Sequence, residues 1–269
     1  MTGGKERGKA YKIFAMVLAV GMLLCACGQK PAEDTTAPTA AAVTTEEALK
    51  AALEDGGRVA LGGDIALSAA VVLRGHLFDG GGYTLTGPEY VENNVSTENG
   101  ITIVSGSVEN VTIKGAYRGI GDNKENGVSG DIRIKNVAVD SDIYALNFGY
   151  GSGMTGMFVT GSTFNGWTSY TKLAEAKFTE CTFGWSESGA QGTLRPYINT
   201  TLTDCTFVSK TDADGTVTPF NISFKSGSTG ISLMLENCYV GETLITQENI
   251  NELLNVNLEG NTIDIRNDV

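Results

Sequence analysis

The sequence predicts an all-β fold wound as a solenoid, with a short helix closing its first end. Three observations predict it. A six-residue pattern, apolar–x–small or polar–x–x–apolar, recurs seven times: Val108-Glu-Asn-Val-Thr-Ile113, Ile134-Lys-Asn-Val-Ala-Val139, Val159-Thr-Gly-Ser-Thr-Phe164, Phe178-Thr-Glu-Cys-Thr-Phe183, Leu202-Thr-Asp-Cys-Thr-Phe207, Leu235-Glu-Asn-Cys-Tyr-Val240 and Leu258-Glu-Gly-Asn-Thr-Ile263. Successive copies are mostly spaced in the twenties along the chain, a period at which repeats stack on one another to bury a continuous core. Secondly, residues alternate within each copy. Glu109, Lys135, Thr160, Thr179, Thr203, Glu236 and Glu259 fill the second place and should face water between apolar neighbours, the period-two signature of a strand. Thirdly, Cys181, Cys205 and Cys238 share one offset, as do Phe164, Phe183 and Phe207, so a thiol column and an aromatic stack are expected inside the coil.

The elements follow in chain order. Lys5, Arg7, Lys9 and Lys12 precede an uncharged, mostly apolar run from Ile13 to Ala26. That run is too short to span a bilayer and has the order of an export signal. It ends in Leu24-Cys25-Ala26-Cys27, which resembles the processing box of bacterial lipoproteins, with Cys25 in place of the commoner Ser, Thr or Ala. The resemblance implies cleavage after Ala26, a lipid on Cys27 and anchorage to the outer face of a bacterial membrane. Residues 27–43, rich in Ala and Thr with two prolines, read as a flexible tether. Thr44-Thr-Glu-Glu47 has the form of a capping box opening a helix to about Leu53, with Ala48, Leu49, Ala52 and Leu53 on one face. Such a helix would close the open apolar end of a solenoid. Arg58 to Ile65 and the glycine-rich Phe78 to Leu85 read as earlier turns of the coil, and Thr246 to Leu254 as a short inserted helix.

From Thr44 to Val269 this combination resembles the right-handed parallel β-helix proteins, the pectate-lyase-like group that includes polygalacturonases and many surface proteins. The likeness rests on Phe-Asp-Gly-Gly-Gly-Tyr-Thr-Leu and the Asn-Cys-Thr-Phe-like copies. It implies a right-handed parallel β-helix, and it speaks to fold far more than to activity.

Formal charge is −12, and because the segment before Cys27 is net basic the mature chain is near −15. An acidic surface without a basic patch excludes nucleic acid as a partner and disfavours polyanionic ligands. Of the hydrolase motifs in that group only Arg133-Ile134-Lys135 has a counterpart, and alternation alone explains it. Arg118, Arg133, Lys135 and Arg195 are conceivable lyase bases, with Asp122, Glu125 and Asp131 as conceivable Ca²⁺ ligands, but they form no signature. Asp212-Ala-Asp214-Gly215 lacks the distal Glu of a calcium loop and reads as a surface turn. No cofactor or metal is called for. His76, the only histidine, has no nucleophile in a familiar context and reads as an exposed or satisfied structural histidine.

Aromatic residues recur between the copies: Tyr144, Phe148, Tyr150, Trp167, Tyr170, Trp185, Tyr197, Phe220 and Phe224. Phe148, Phe220 and Phe224 are assigned to the core. Trp167, Trp185 and Tyr197 are the candidate ligand-binding residues, since rings on a flat β face stack against sugars. The expected function is a monomeric, membrane-anchored glycan-binding or adhesive protein without catalysis. The alternative is a polysaccharide lyase or glycoside hydrolase working in a lateral groove.

Overall fold

The computed structural model describes residues 42–88 and 99–268. The expected export signal, the lipid acceptor Cys27 and all of the tether before Ala42 lie outside them. The described part falls in one compact unit, Ala40–Val269. It is all-β and solenoid-like. A 23-stranded, mostly parallel sheet pairs each strand with its equivalent one layer away, and a small antiparallel hairpin joins Lys210–Thr211 to Val217–Thr218. Among the described residues no helix is long and apolar enough to cross a membrane.

The predicted columns are present for six of the seven copies. First-place residues pair in the order Phe78, Val108, Ile134, Val159, Phe178, Leu202 and Leu235, with Val59 ahead of them. Last-place residues pair as Ile65, Leu85, Ile113, Val139, Phe164, Phe183, Phe207 and Val240. The two early turns therefore belong to the same stack. Phe164 and Phe183 have ring centroids 5.9 Å apart, Phe183 and Phe207 5.5 Å, and Phe220 extends the stack by a further 5.5 Å.

Between the two columns the chain turns a corner, and one backbone state makes it. The third residue of each of these copies (Asn110, Asn136, Gly161, Glu180, Asp204 and Asn237) is left-handed, with φ between 50° and 59°. Asn, Asp and Gly tolerate that region best, so the residue types follow from the geometry. Each corner N–H donates to a carbonyl of the next layer, for example Asn136 to Thr160 at 3.0 Å and Asp204 to Glu236 at 2.9 Å. Side chains add a polar ladder, Asn136 Nδ2 to Asn110 Oδ1 at 3.2 Å and Asn110 Nδ2 to Asp79 Oδ1 at 3.1 Å.

The residue after the corner points inward. Val111, Val137, Ser162, Cys181, Cys205 and Cys238 are all buried there, and the three cysteines are free thiols. Each polar member bonds the carbonyl two places back: Ser162 to Thr160 at 2.9 Å, Cys181 to Thr179 at 3.3 Å, Cys205 to Thr203 at 3.4 Å and Cys238 to Glu236 at 3.5 Å. Its thiol neighbours Cys181 and Cys238, together with burial, push the Cys205 thiol well above the ordinary range.

The seventh copy departs from expectation. Leu235 pairs with Ile265, not Leu258, and Leu233 pairs with Ile263. Leu258 is 41% exposed, at the start of a turn through Gly260. The pattern recurs there because Leu258 and Ile263 happen to flank that turn, while the in-register apolar pair is Ile263 and Ile265.

Helix α1, Glu46–Asp55, is capped one position later than expected, by Thr45 Oγ1 accepting from Ala48 N at 3.2 Å. Leu49 is fully buried, and Ala52 and Leu53 pack against the core, while Ala48 is exposed. The folded chain begins slightly earlier than Thr44, because Ala42–Val43 already pairs with Ala60–Leu61. His76 is buried and structural: Nε2 meets Leu53 O at 2.9 Å and Nδ1 accepts from Arg74 N at 2.8 Å, which ties the end of α1 to the strand Val71–Asp79. Helix α2 spans only Ile250–Leu253, because Thr246 to Asn249 form the turn that precedes it.

This packing fixes the response to two kinds of change. Cys205→Ser should keep stability within about 1 kcal/mol, since Ser162 already satisfies a hydroxyl in the same column, whereas Cys205→Leu should lose about 1–3 kcal/mol by overpacking; denaturant melts distinguish them. The Glu46 carboxylate accepts from Lys50 at 2.8 Å and from Ser68 N and Oγ at 2.9 Å each, which hold its pKa down to about 2. A depressed folded-state value means stabilisation present above the unfolded value of about 4.5 and lost as pH falls toward about 2. Protection factors of the α1 amides, taken against the intrinsic exchange rate at each pH, should fall across that window, and Glu46→Gln should abolish the fall.

Candidate functional site

One outward face gathers most of the chain's unassigned chemistry. Pairing sets its first column as Asn99, Arg118, Tyr144, Trp167, Thr193, Asn221 and Asn255. A second column aligns Gly121, Asn147, Ser169 and Arg195, two places on in the Trp167 and Thr193 layers and three places on in the Arg118 and Tyr144 layers, which carry an extra residue. Between them Leu146, Thr168 and Leu194 are fully buried, so alternation together with the irregularity between Tyr144 and Leu146 sets the polar and aromatic residues on the other side, where Asn99 is nonetheless buried.

Aromatics and cations pack together across the two columns. The Tyr117 and Tyr144 rings lie 5.8 Å apart, and the Arg118 guanidinium sits 5.1 Å from the first and 5.5 Å from the second. Tyr144 stacks on Trp167 at 5.1 Å with 15° between planes, and Arg195 sits 4.4 Å from the Trp167 centroid. Tyr144 comes from the layer before Trp167 and Arg195 from the layer after, so the indole is sandwiched. Burial, with the neighbouring Tyr117, raises the Tyr144 phenol above its ordinary value, against the pull of Arg118 and Arg195.

A cleft of about 590 Å³ opens at the Arg118 end of this face. Its polar lining includes Asn99, Arg118, Asp122, Lys124, Glu125 and Asn147, and Tyr150 stands at its rim, 56% exposed. The rim is built locally. Asn123 Oδ1 accepts from the Glu125 and Asn126 amides at 3.0 and 2.8 Å, a turn shaped by its own side chain, and Arg74 donates to Asn126 Oδ1. Asp122 lies only 2% exposed beneath it and accepts from Gly149 N at 2.7 Å and Tyr150 N at 2.8 Å. Burial raises the Asp122 carboxyl above the ordinary range in spite of those N–H bonds. Its task is to hold the turn that presents Tyr150. Asn99 is buried as well; its Nδ2 donates to Thr102 Oγ1 at 2.9 Å, while its Oδ1 accepts no hydrogen bond among the described residues.

The residues expected from the sequence are distributed as follows. Trp167 belongs to this face, with both ring faces occupied. Tyr197 lies within electrostatic reach of Tyr144 and carries the Lys225 ammonium 5.7 Å from its ring. Trp185 is elsewhere: Lys210 approaches it at 5.7 Å, and it packs so closely on Gly192 that a Cβ there would come within 2.4 Å of the indole. All three are half-buried. Phe148, Phe220 and Phe224 are core residues. Arg118, Asp122 and Glu125 share the cleft, but Asp131 is used on Gly156 N at 3.0 Å, and Arg133 stacks 5.1 Å from the Phe158 centroid. Among the described residues no group of three His, Cys, Asp or Glu is placed to hold a metal ion. Tyr150 is the exposed ring that the choice of Trp167, Trp185 and Tyr197 missed, and its flanks, Gly149 and Gly151, mark it as a loop aromatic that no strand buries.

The Trp185 packing is directly testable. Gly192→Ala should expel the indole from its seat and red-shift its emission, whereas Gly149→Ala, at a glycine with open space around it and an ordinary backbone conformation, should leave the spectrum unchanged.

Comparison with protein families, with curated proteins and with solved structures finds no match to this chain.

Proposed function

We propose that this chain is an exported, lipid-anchored, right-handed parallel β-helix that binds glycan on its outward face without cleaving it. The supporting observation is the cleft: an exposed Tyr150 ring beside Arg118, Lys124, Asn99 and Asn147 combines an apolar platform with convergent hydrogen-bonding groups, the pairing a sugar ring requires. The basic run before an uncharged Ile13–Ala26 and the Leu24-Cys25-Ala26-Cys27 box support the export and anchoring parts of the reading. The repeat spacing and parallel layer-to-layer pairing support the β-helix part.

Net charge argues against acidic ligands, yet the charged groups lining the cleft are balanced, Arg118 and Lys124 beside Asp122 and Glu125, with Arg195 on Trp167 and Lys225 on Tyr197. Electrostatics at a site are set by close charges, because distant ones are screened beyond about 10 Å at about 0.1 M salt. Glycans bearing carboxylates therefore suit the cleft better than the whole-chain charge suggests.

The raised Asp122 carboxyl is the observation that favours the alternative of a hydrolase, where such a group serves as general acid. Its oxygens are turned onto the Gly149 and Tyr150 amides beneath the surface, so it has no reach toward a bound chain. Binding is the better reading.

Affinity electrophoresis of the full chain through gels containing neutral and acidic polysaccharides tests it. At least one polysaccharide should retard the chain, and Tyr150→Ala should weaken that retardation about tenfold, the worth of one ring contact. Trp167→Ala should instead lower the melting temperature. New reducing ends or unsaturated products would overturn the proposal in favour of catalysis.

A further inference from the structure

The two ends of the stack are finished differently. At the first end α1 lies against the core, with Leu49 fully buried, and is fastened by His76 and by Glu46 on Ser68. At the last described end the strand Thr262–Arg266 pairs, among the described residues, only with Ser232–Glu236. In a parallel pair alternate residues turn both backbone groups toward the partner. Thr262 N donates to Ile231 O and Arg266 O accepts from Asn237 N, so Thr262, Asp264 and Arg266 face the neighbouring strand. The N–H and C=O groups of Ile263 and Ile265 consequently point away from it. Their side chains are half-buried against the core, Val256 beside them is likewise half-buried, and Leu258 is exposed.

We propose that this edge pairs with the same edge of a second copy, antiparallel about a two-fold axis through Ile265. The register follows from charge. Outward groups restrict the hydrogen-bonded pairs to positions 263, 265 and 267, which leaves three central registers. One places Asp264 opposite the second copy's Asp264, and another places Arg266 opposite its own counterpart; both oppose like charges. The third pairs Ile265 with Ile265 and sets each Asp264 against an Arg266. Opposite charges across a non-hydrogen-bonded pair stabilise the ladder and like charges destabilise it. Asp264 and Arg266 already lie together on the outward face, 2.9 Å apart, so both are placed to exchange partners. The same register seals Ile265 against Ile265 at this end of the stack. Head-to-tail growth is closed off because α1 occupies the other end, so the contact ends at a dimer rather than a filament. This second-copy contact replaces the monomer expected from the sequence.

Sedimentation equilibrium of the full chain carrying Cys27→Ser, which removes the expected lipid site, tests the proposal. The chain should sediment as a concentration-dependent dimer. Asp264→Arg should weaken dimerisation about tenfold or more, because two attractive pairs become repulsive. Adding Arg266→Asp to it should restore the dimer, and amide exchange at Ile263 and Ile265 should slow in proportion to dimer. A monomer at all concentrations would overturn the proposal and leave the edge to a different partner. So would a dimer indifferent to Asp264→Arg, or one that the double exchange fails to restore while both variants keep the wild-type melting temperature.

Discussion

A backbone conformation that most residues avoid sets the geometry of this protein. At the third place of each stacked copy the chain enters the left-handed region, and only there can two short strands meet at a corner while both keep pairing with the layers above and below. For L-residues that conformation costs roughly 1–2 kcal/mol. Asn and Asp recover part of it through local hydrogen bonds, and Gly avoids it. The residue before the corner faces out and the residue after it faces in, so the columns of Cys, Phe and small residues are consequences of one dihedral angle. Glu180 meets the same demand with a side chain poorly suited to it, and the Phe178 and Cys181 contacts on either side hold it there.

The outward face shows how a surface rich in aromatics can be scaffold more than ligand platform. In a parallel stack equivalent side chains lie one strand spacing apart, about 4.8 Å, close to the separation at which rings and guanidinium planes stack. Tyr144 and Arg195 accordingly cover the faces of Trp167 from the layers on either side. A ring escapes this only where the chain leaves the strands. Tyr150 does so on a turn between glycines, and the buried Asp122 fixes that turn by its backbone amides. Chemistry and structure are thus separated by a short stretch of the same layer.

That separation explains what could be read from residues alone. The columns from Val108 to Val240 were legible because burial and the strand period write the same message into every copy. The core assignments of Phe148, Phe220 and Phe224 follow from the same logic, whereas the burial of His76 depends on the α1 carbonyl that the fold brings to it. Leu258 misled because an apolar residue five places from another satisfies the pattern whether or not it is paired, and pairing depends on the turn geometry at Gly260. Trp167 attracted notice by type, but Tyr144 from one adjoining layer and Arg195 from the other decide whether its faces are free, and no local window of sequence contains all three. Tyr150 was visible as a glycine-flanked aromatic, yet the cleft below it depends on Asn99, Arg118 and Asp122, which the fold gathers from different layers.

The claim that equivalent side chains stack layer upon layer is tested most directly by locating sulfur atoms in a crystal by their anomalous scattering. Cys181, Cys205 and Cys238 should give three peaks in a line, successive peaks separated by roughly one strand spacing, about 4.8 Å. Peaks scattered through the molecule, or any successive pair farther apart than about two strand spacings, would contradict the account.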